Sequence, residues 1–337
     1  MIIPVKTQSK SYNIYLERGA LIKVNEYFDL NRKVLIITDS GVPKQYSELV
    51  ASHCKEAYIY TFEQGEKSKN LKTFEMILET LVKNNFTRTD CIVAVGGGVV
   101  GDISGFAASA YMRGIDFYNI PTTVLSQVDS SIGGKTAVDF MGLKNLVGAF
   151  FQPKAVLIDP DTLATLPERQ IYNGLSEALK SALIGDSVLF EIFENKDILQ
   201  NIDEIIERSL YVKKYVVESD EKESSLRKIL NFGHTLAHGI ESINGLENYY
   251  HGEAVAIGML PMCSESIRER LLPILAKMNL PTAVDCSAEK IIEACKHDKK
   301  TYGDNITVVY VDTIGKANLK EMKFSDYESM IKKVLEK

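Results

Sequence analysis

Cys91-Ile92-Val93-Ala94-Val95-Gly96-Gly97-Gly98-Val99-Val100-Gly101-Asp102 is the stretch that decides the fold of this chain. Its apolar opening reads as a buried strand, and the glycines read as a tight turn that opens a helix. Glycines 96, 98 and 101 match the spacing GxGxxG. Small residues there let backbone N–H groups approach a pyrophosphate at a helix N-terminus, where the dipole favours anions. The standard fingerprint also needs an acid at the end of the following strand. Here that strand, residues 117–120, runs into Pro121-Thr122-Thr123, and the acid that ends a strand is the earlier Asp39. The turn therefore reads as a non-standard dinucleotide site, with a glycine turn serving only tight packing as the alternative.

The same grammar extends through the first half of the chain. Residues 33–38 and 57–61 form further short apolar runs, and residues 72–84 carry Phe74, Ile77, Leu78 and Leu81 at helical spacing. Strands alternating with helices predict a mostly parallel sheet covered on both faces. Near residues 151–160 the pattern changes, and amphipathic stretches follow at 168–184, 202–218, 229–243, 252–270 and 288–296. A β-like patch at 306–311 precedes the turn signal Ile314-Gly315. The expected organisation is an α/β domain over residues 1–159, holding the dinucleotide site, then a mainly α-helical domain over 160–337 with a cleft between them.

A length of 337 residues suffices for two cores. The net charge of −6 argues against a general nucleic-acid binder or a protein of anionic membranes. Any anionic ligand must then be held by a local cluster of cations. The N-terminus lacks a signal-peptide pattern, and no apolar run is long enough to span a bilayer. Cys54, Cys91, Cys263, Cys286 and Cys295 are scattered without a CxxC pair, which fits reduced thiols in the cytoplasm.

Chemistry-bearing residues gather in the second half. Leu230-Asn231-Phe232-Gly233-His234-Thr235-Leu236-Ala237-His238-Gly239 and His251-Gly252-Glu253 hold three of the five histidines. Neutral imidazole is the commonest nitrogen ligand of zinc-like ions, so a metal site is one reading; hydrogen-bonded core or helix-end histidines are the other. His234 and His238, four apart, would share a helix face and make the simplest ligand pair. Glu177 and Lys180 lie one turn apart and, taken alone, read as a surface pair worth ~0.2–0.5 kcal/mol. Solvated charge is likewise the default for Lys213, Asp220-Glu221-Lys222-Glu223, Arg227 and Asp298-Lys299-Lys300. In the first half, Gly65-Glu66 and Lys69 mark a glycine turn into a helix. Ser126 to Thr136 offers polar groups, two glycines and Lys135 as a loop around phosphate, without P-loop spacing.

In order and spacing, along nearly the whole chain, these segments resemble the 3-dehydroquinate synthase family. The resemblance rests on Gly65-Glu66 with Lys69, the glycine turn through Asp102, Tyr111-Met112-Arg113-Gly114, Pro121-Thr122-Thr123 and residues 125–136. It continues through residues 144–150, Gly174-Leu175-Ser176-Glu177-Ala178-Leu179-Lys180, Asp220-Glu221, both histidine segments and Asp298-Lys299-Lys300. The wider superfamily, with its polyol dehydrogenases and other sugar-phosphate cyclases, shares the glycine turn and the metal triad.

That resemblance implies one divalent ion, zinc or cobalt, on Glu177, His234 and His251, which moves His238 from the ligand pair to the substrate side. It implies NAD along the glycine turn, touching Asp39, Glu66, Lys69, Gly97, Gly98, Val99, Asp102, Thr122, Thr123, Ser126 and Lys144. Asp129, Lys135 and Asn145 would lie where cofactor and substrate meet. The family's substrate is a phosphorylated heptulosonic acid. Arg113, Lys135, Asn145, Lys180, Lys213, Arg227, Asn231, His238 and Lys299 or Lys300 would converge on its anionic groups, Arg113 across a homodimer interface. Glu223 and Asp129 would order water or shuttle protons. The implied activity is a carbon–oxygen lyase of the shikimate pathway, working by transient oxidation, phosphate elimination, re-reduction and aldol closure. A sibling cyclase would act on a sugar phosphate without a carboxylate, leaving Arg227 and Lys299-Lys300 without purpose. A polyol dehydrogenase would need no cationic cradle and would accumulate NADH.

Overall fold

The apolar runs of the first half become strands because residues of alternating parity each find a covered face. In the computed structural model, which describes residues 1–243, 249–296, 301–302 and 305–335, the chain divides into two compact units, Met1–Pro167 and Glu168–Lys337. The first unit contains β1 (Ile2–Lys6), β2 (Ser11–Leu16), β3 (Lys33–Asp39), β4 (Glu56–Phe62), β5 (Cys91–Gly96), β6 (Asp116–Pro121), β7 (Lys135–Phe140), β8 (Leu143–Phe150) and β9 (Ala155–Ile158). Its helices are α1 (Lys44–Ser52), α2 (Leu71–Lys83) and α3 (Gly98–Ala110). The main sheet runs β1-β2-β9-β6-β5-β3-β4, parallel throughout except between β1 and β2. Val34 and Ile36 enter one core with Val93 and Val95; Leu35 and Ile37 enter the other with Ile92 and Ala94. α2 buries Ile77 and Leu81 and is capped by Asn70, whose side chain accepts from the Thr73 N–H at 3.0 Å.

Strand order explains the displaced acid. From β3 the chain steps outward to β4, then returns to the other side of β3 as β5. The carboxyl ends of β3 and β5 thus flank a topological switch point, where open α/β sheets bind ligands. Asp39 ends β3 and Gly96 ends β5, so the acid is adjacent in space although it comes earlier in sequence.

Several elements lie outside the expected strands: β1, β2, the wholly apolar β9 and the antiparallel β7–β8 hairpin. The loop expected from Ser126 instead starts as a π-helical turn, Ser126–Ser130, and its end is strand β7. The first unit also runs beyond residue 159, because the 3-10 turn Pro160–Thr165 is tied to it. Gln127 Nε2 donates to the Asp159 carbonyl at 3.2 Å and to Thr162 Oγ1 at 3.1 Å.

The second unit is mainly helical: α4 (Glu168–Gly185), α5 (Ser187–Asn195), α6 (Ile202–Ser219), α7 (His234–Ser242), α8 (His251–Met259), α9 (Glu265–Lys277), α10 (Ala288–Lys296) and α11 (Phe324–Leu335). A small antiparallel sheet of β10 (Thr301–Tyr302), β11 (Asn305–Thr313) and β12 (Lys316–Lys323) joins them. Among the described residues no helix is long and apolar enough to cross a membrane.

Two of the amphipathic stretches are not continuous helix. In 229–243, a 3-10 turn (Leu226–Asn231) passes into α7 through Gly233, which holds φ at 76°. In 252–270, α8 stops before Pro261, and Met262 and Ser264 exchange backbone hydrogen bonds with Val311 of β11, each of 3.0 Å. α7 and α8 meet backbone to backbone: a Cβ on Gly258 would stand 2.1 Å from the Gly233 carbonyl oxygen. Gly258→Ala is therefore expected to cost ~1–3 kcal/mol by overpacking. Urea unfolding would measure it, and an unchanged midpoint would refute the close approach.

Candidate functional site

Three helices bring the metal candidates together. Glu177 lies midway along α4, His234 opens α7 and His251 opens α8. Their ligand-capable atoms lie within 4.8 Å of one another, the one such His/Cys/Asp/Glu group among the described residues. Glu177 is 1% exposed, and both its carboxylate oxygens are buried. The Lys180 ammonium pairs with it. His234 Nε2 and His251 Nε2 stand 3.8 and 3.6 Å from Glu177 Oε1. The remaining ring nitrogens are engaged from behind: His234 Nδ1 lies 3.1 Å from the Phe232 carbonyl, and His251 Nδ1 lies 3.2 Å from Glu241 Oε1. Both Nε2 atoms are thereby left for the carboxylate side, so these residues fit a divalent ion. A buried carboxylate calls for a cation, and one carboxylate with two imidazoles leaves coordination positions open.

The electrostatics draw positive charge to the buried carboxylate, a charge that His251 carries while no ion is bound. Burial alone would raise the Glu177 carboxyl, but Lys180, then His234 and His251, hold it well below the usual carboxylate range. Burial, with Lys180 beside it, pushes His234 far below the ordinary imidazole value and keeps it neutral. Burial opposes charge on His251 too, yet Glu177 and Glu241 outweigh it and raise that imidazole to about 10.

One face of α4 sets this arrangement. Arg169, Asn173 and Glu177 succeed one another by single turns. Asn173 Oδ1 accepts the Gly252 N–H at 2.6 Å, and a Cβ on Gly252 would stand 1.9 Å from the Asn173 carbonyl oxygen. Arg169 makes two bonds to Glu253, of 2.6 and 2.8 Å, while Glu253 accepts the Tyr250 N–H at 2.9 Å. The start of α8, and with it His251, is clasped to the helix that carries Glu177. Sequence reasoning missed Asn173, Glu253 and Glu241. The four-residue spacing back from Glu177, and the positions of 234, 238 and 241 on one helix face, were the signals available.

His238 lies one turn beyond His234, exposed, with its ring 5.6 Å from that of His234 and 6.5 Å from that of His251. It stands outside the ligand group. Of the charges read by default as solvated, Lys180, Lys213 and Arg227 are buried, as are Asp220 and Glu221, whereas Lys222 is exposed. Asp220 organises the loop that follows α6. It accepts from the backbone N–H groups of Ser224, Ser225 and Arg227 at 2.9, 2.6 and 3.0 Å, and from both serine hydroxyls. Arg227 Nη1 donates to the Glu221 carbonyl, and Asn231 Nδ2 donates to Glu223 Oε1 at 2.7 Å, with Glu223 held at φ 60°. Lys299 and its alternative Lys300 lie outside the described residues.

The dinucleotide candidates belong to the first unit. The N-terminus of α3 at Gly97 has no side-chain cap, so its first N–H groups remain available to an anion. Cβ atoms on Gly97 and Gly98 would meet Thr123 Cγ2 at 3.2 Å and Ser130 Oγ at 3.1 Å. Val99 follows in the same turn. The Thr122 N–H donates to the Gly96 carbonyl at 2.9 Å, and the Thr123 and Ser126 hydroxyls lie 2.8 Å apart. These glycines and hydroxyls fit a phosphate-bearing cofactor. Burial raises the Asp39 carboxyl against the N–H bonds of Gly41 and Val42. Buried Lys69 joins Asp102 at 2.6 Å, Glu66 at 3.8 Å and the Asn145 side-chain oxygen, which gathers four of the candidates. Asp129 is half-buried in the π-helical turn; Lys135, Lys144 and Arg113 are exposed. Met112 and Arg113 hold left-handed backbone, at φ 50° and 68°.

Comparison with known proteins extends over the whole chain. Residues 59–173 match the family model described as 3-dehydroquinate synthase N-terminal, and residues 174–301 that described as 3-dehydroquinate synthase C-terminal. A 3-dehydroquinate synthase of Streptococcus mutans is 41% identical over 355 aligned positions, covering 99% of this chain and 100% of that one. The crystal structure of 2-deoxy-scyllo-inosose synthase with carbaglucose-6-phosphate, NAD+ and Co2+ gives a TM-score of 0.88 at 26% identity, covering 99% of this chain and 100% of that one. A 2-epi-5-epi-valiolone synthase from Streptomyces hygroscopicus, with NAD+ and Zn2+ bound, gives 0.87 at 26% identity over 98% of each chain.

The Asp220 loop generates a pH signature. Burial would raise this carboxyl, but the N–H groups of Ser225, Ser224 and Arg227 hold it well below its ordinary value. A carboxyl depressed on folding contributes stability above its unfolded pKa of ~3.9 and loses that contribution as pH falls through the folded value. Asp220→Asn should therefore destabilise the protein at neutral pH, with the gap from wild type closing below about pH 4. Paired urea titrations at the two pH values test this; a gap that persists in acid would show that charge is not the cause.

Proposed function

We propose how this chain works from the premise that it belongs to the 3-dehydroquinate synthase family, whose two segments span residues 59–301. It is a lyase that turns 3-deoxy-D-arabino-heptulosonate 7-phosphate into 3-dehydroquinate and phosphate. The observation that carries the site assignment is the buried Glu177, with the Nε2 atoms of His234 and His251 beside it.

In this reading Glu177, His234 and His251 hold one divalent ion, zinc or cobalt. The uncapped start of α3, with Gly97, Gly98 and Val99, holds NAD, flanked by Asp39, Thr122, Thr123 and Ser126. Glu66, Lys69, Asp102 and Lys144 complete the cofactor contacts. When bound, these groups supply reversible hydride transfer and Lewis-acid polarisation of substrate oxygens.

The chain's own side chains do the rest. Lys180 and Lys213 orient substrate hydroxyls. Their burial supports the assignment, since a desolvated ammonium acts more strongly on a nearby oxygen than a solvated one. Arg227, Asn231 and His238 hold the substrate's anionic groups, with Lys299, Lys135, Asn145 and Arg113 as the further contacts that the family resemblance implies. Oxidation of one substrate carbon acidifies the neighbouring C–H. Phosphate held by cations then leaves, taking up that proton itself, so the protein need only fix its position. Asp129 and Glu223 order water around the reacting groups, and the bond from Asn231 steadies Glu223. The exposed, left-handed Arg113 supports a role at a homodimer interface. The five free cysteines suit the cytoplasm.

Purified protein given NAD and the heptulosonate phosphate should release phosphate in step with substrate loss and build up no NADH. Chelation should abolish turnover, and zinc or cobalt should restore it. Activity that survives complete metal removal would sink the site assignment, and NADH accumulating with turnover would favour the polyol dehydrogenase reading. His238→Ala should keep wild-type metal content while turnover falls ~10–100-fold, the worth of a hydrogen bond to a charged group. Loss of metal from that variant would instead reinstate His234 and His238 as the ligand pair.

A further inference from the structure

Glu241 is a buried carboxylate near the metal candidates, and neither family motif nor sequence spacing gave it a role. It stands on α7, on the face that also carries His234 and His238. Its side chain is 8% exposed, and Oε1 lies 3.2 Å from His251 Nδ1. The two imidazoles are held differently. His234 is 12% exposed and is backed by a carbonyl of its own chain two residues earlier. His251 is 33% exposed, so packing restrains it less, and its support comes from a carboxylate on another helix.

We propose that Glu241 is the positioning residue of the metal site, accepting the His251 Nδ1–H so that Nε2, which faces Glu177, is the nitrogen that gives up its proton to bind an ion. The inference rests on the reading of Glu177, His234 and His251 as ligands. An acceptor on Nδ1 settles three things together: the tautomer, the rotation of the ring and the basicity of the coordinating nitrogen. A carboxylate does the last more strongly than a carbonyl, because it stabilises positive charge drawn onto the ring. Glu241 also supplies a second negative charge close to a site where Lys180 already offsets that of Glu177. A divalent cation is favoured accordingly.

The test uses the full-length protein loaded with cobalt(II) and competed with a chelator, following the visible absorption of the bound ion. Glu241→Gln keeps the shape and removes the charge; Glu241→Ala removes both. Glu241→Ala is expected to lower cobalt affinity ~10–100-fold, with Glu241→Gln between it and wild type. The absorption bands should shift in both. Melting curves and NAD binding establish that each variant is folded, and Glu241→Gln alone decides the matter if the alanine variant does not fold. His251→Ala separates the two readings. If it loses cobalt while both Glu241 variants bind and absorb like wild type, the role of Glu241 is overturned and the ligand set stands. If His251→Ala retains cobalt at wild-type strength, the ligand set itself falls.

Discussion

The second unit is organised around the cost of hiding one carboxylate. Glu177 sits within a helix whose neighbours from Leu175 to Ile184 are buried, and an ionised group there is tolerable only with positive charge or a metal against it. Lys180 meets it from the same helix, and the first residues of α7 and α8 meet it from two others. Close backbone packing makes this possible. Gly233 against Gly258, and Gly252 against Asn173, remove side chains where helices must touch for the imidazoles to reach the acid. Packing glycines and charged ligands are one design seen from two sides.

In the first unit the constraint is topological. A parallel sheet leaves its ligand crevice where successive strands depart in opposite directions, and here that is between β3 and β5. The glycines at the end of β5 and the acid at the end of β3 are neighbours because of strand order. Lys69, reaching Asp102 at the second turn of α3, ties the segment after β4 to the same place.

Much of this was legible beforehand, for identifiable reasons. β3, β5 and β6 announced themselves because strands buried on both faces must be continuously apolar, and α2 because its stripe has a helical period. β1, β2 and the β7–β8 hairpin did not, since half-exposed strands mix polar and apolar residues, as the exposed Leu143, Leu146 and Phe150 illustrate. The breaks at Gly233 and Pro261 were hidden inside continuous amphipathic patterns; period alone cannot register a glycine whose φ is dictated by a helix elsewhere in the chain. The candidate ligand group of Glu177, His234 and His251 was legible only through the family resemblance. Local spacing pointed to His234 with His238, whereas the group that assembles depends on a tertiary approach from α8. Asn173, Glu241 and Glu253 were missed for the same reason: spacing places Asn173 and Glu241 on the right helix faces, but each looks like an ordinary polar residue until the partner helix is present.

The support behind the two imidazoles has a thermodynamic corollary. Each ring is already oriented by a protein acceptor, and the helices that carry them are packed by contacts that need no ion. Binding of the proposed ion would therefore order little, at little cost in conformational entropy. Such a site differs in kind from a metal knuckle, where coordination and folding are one event. An ion held as proposed would join helices that are already packed around its place.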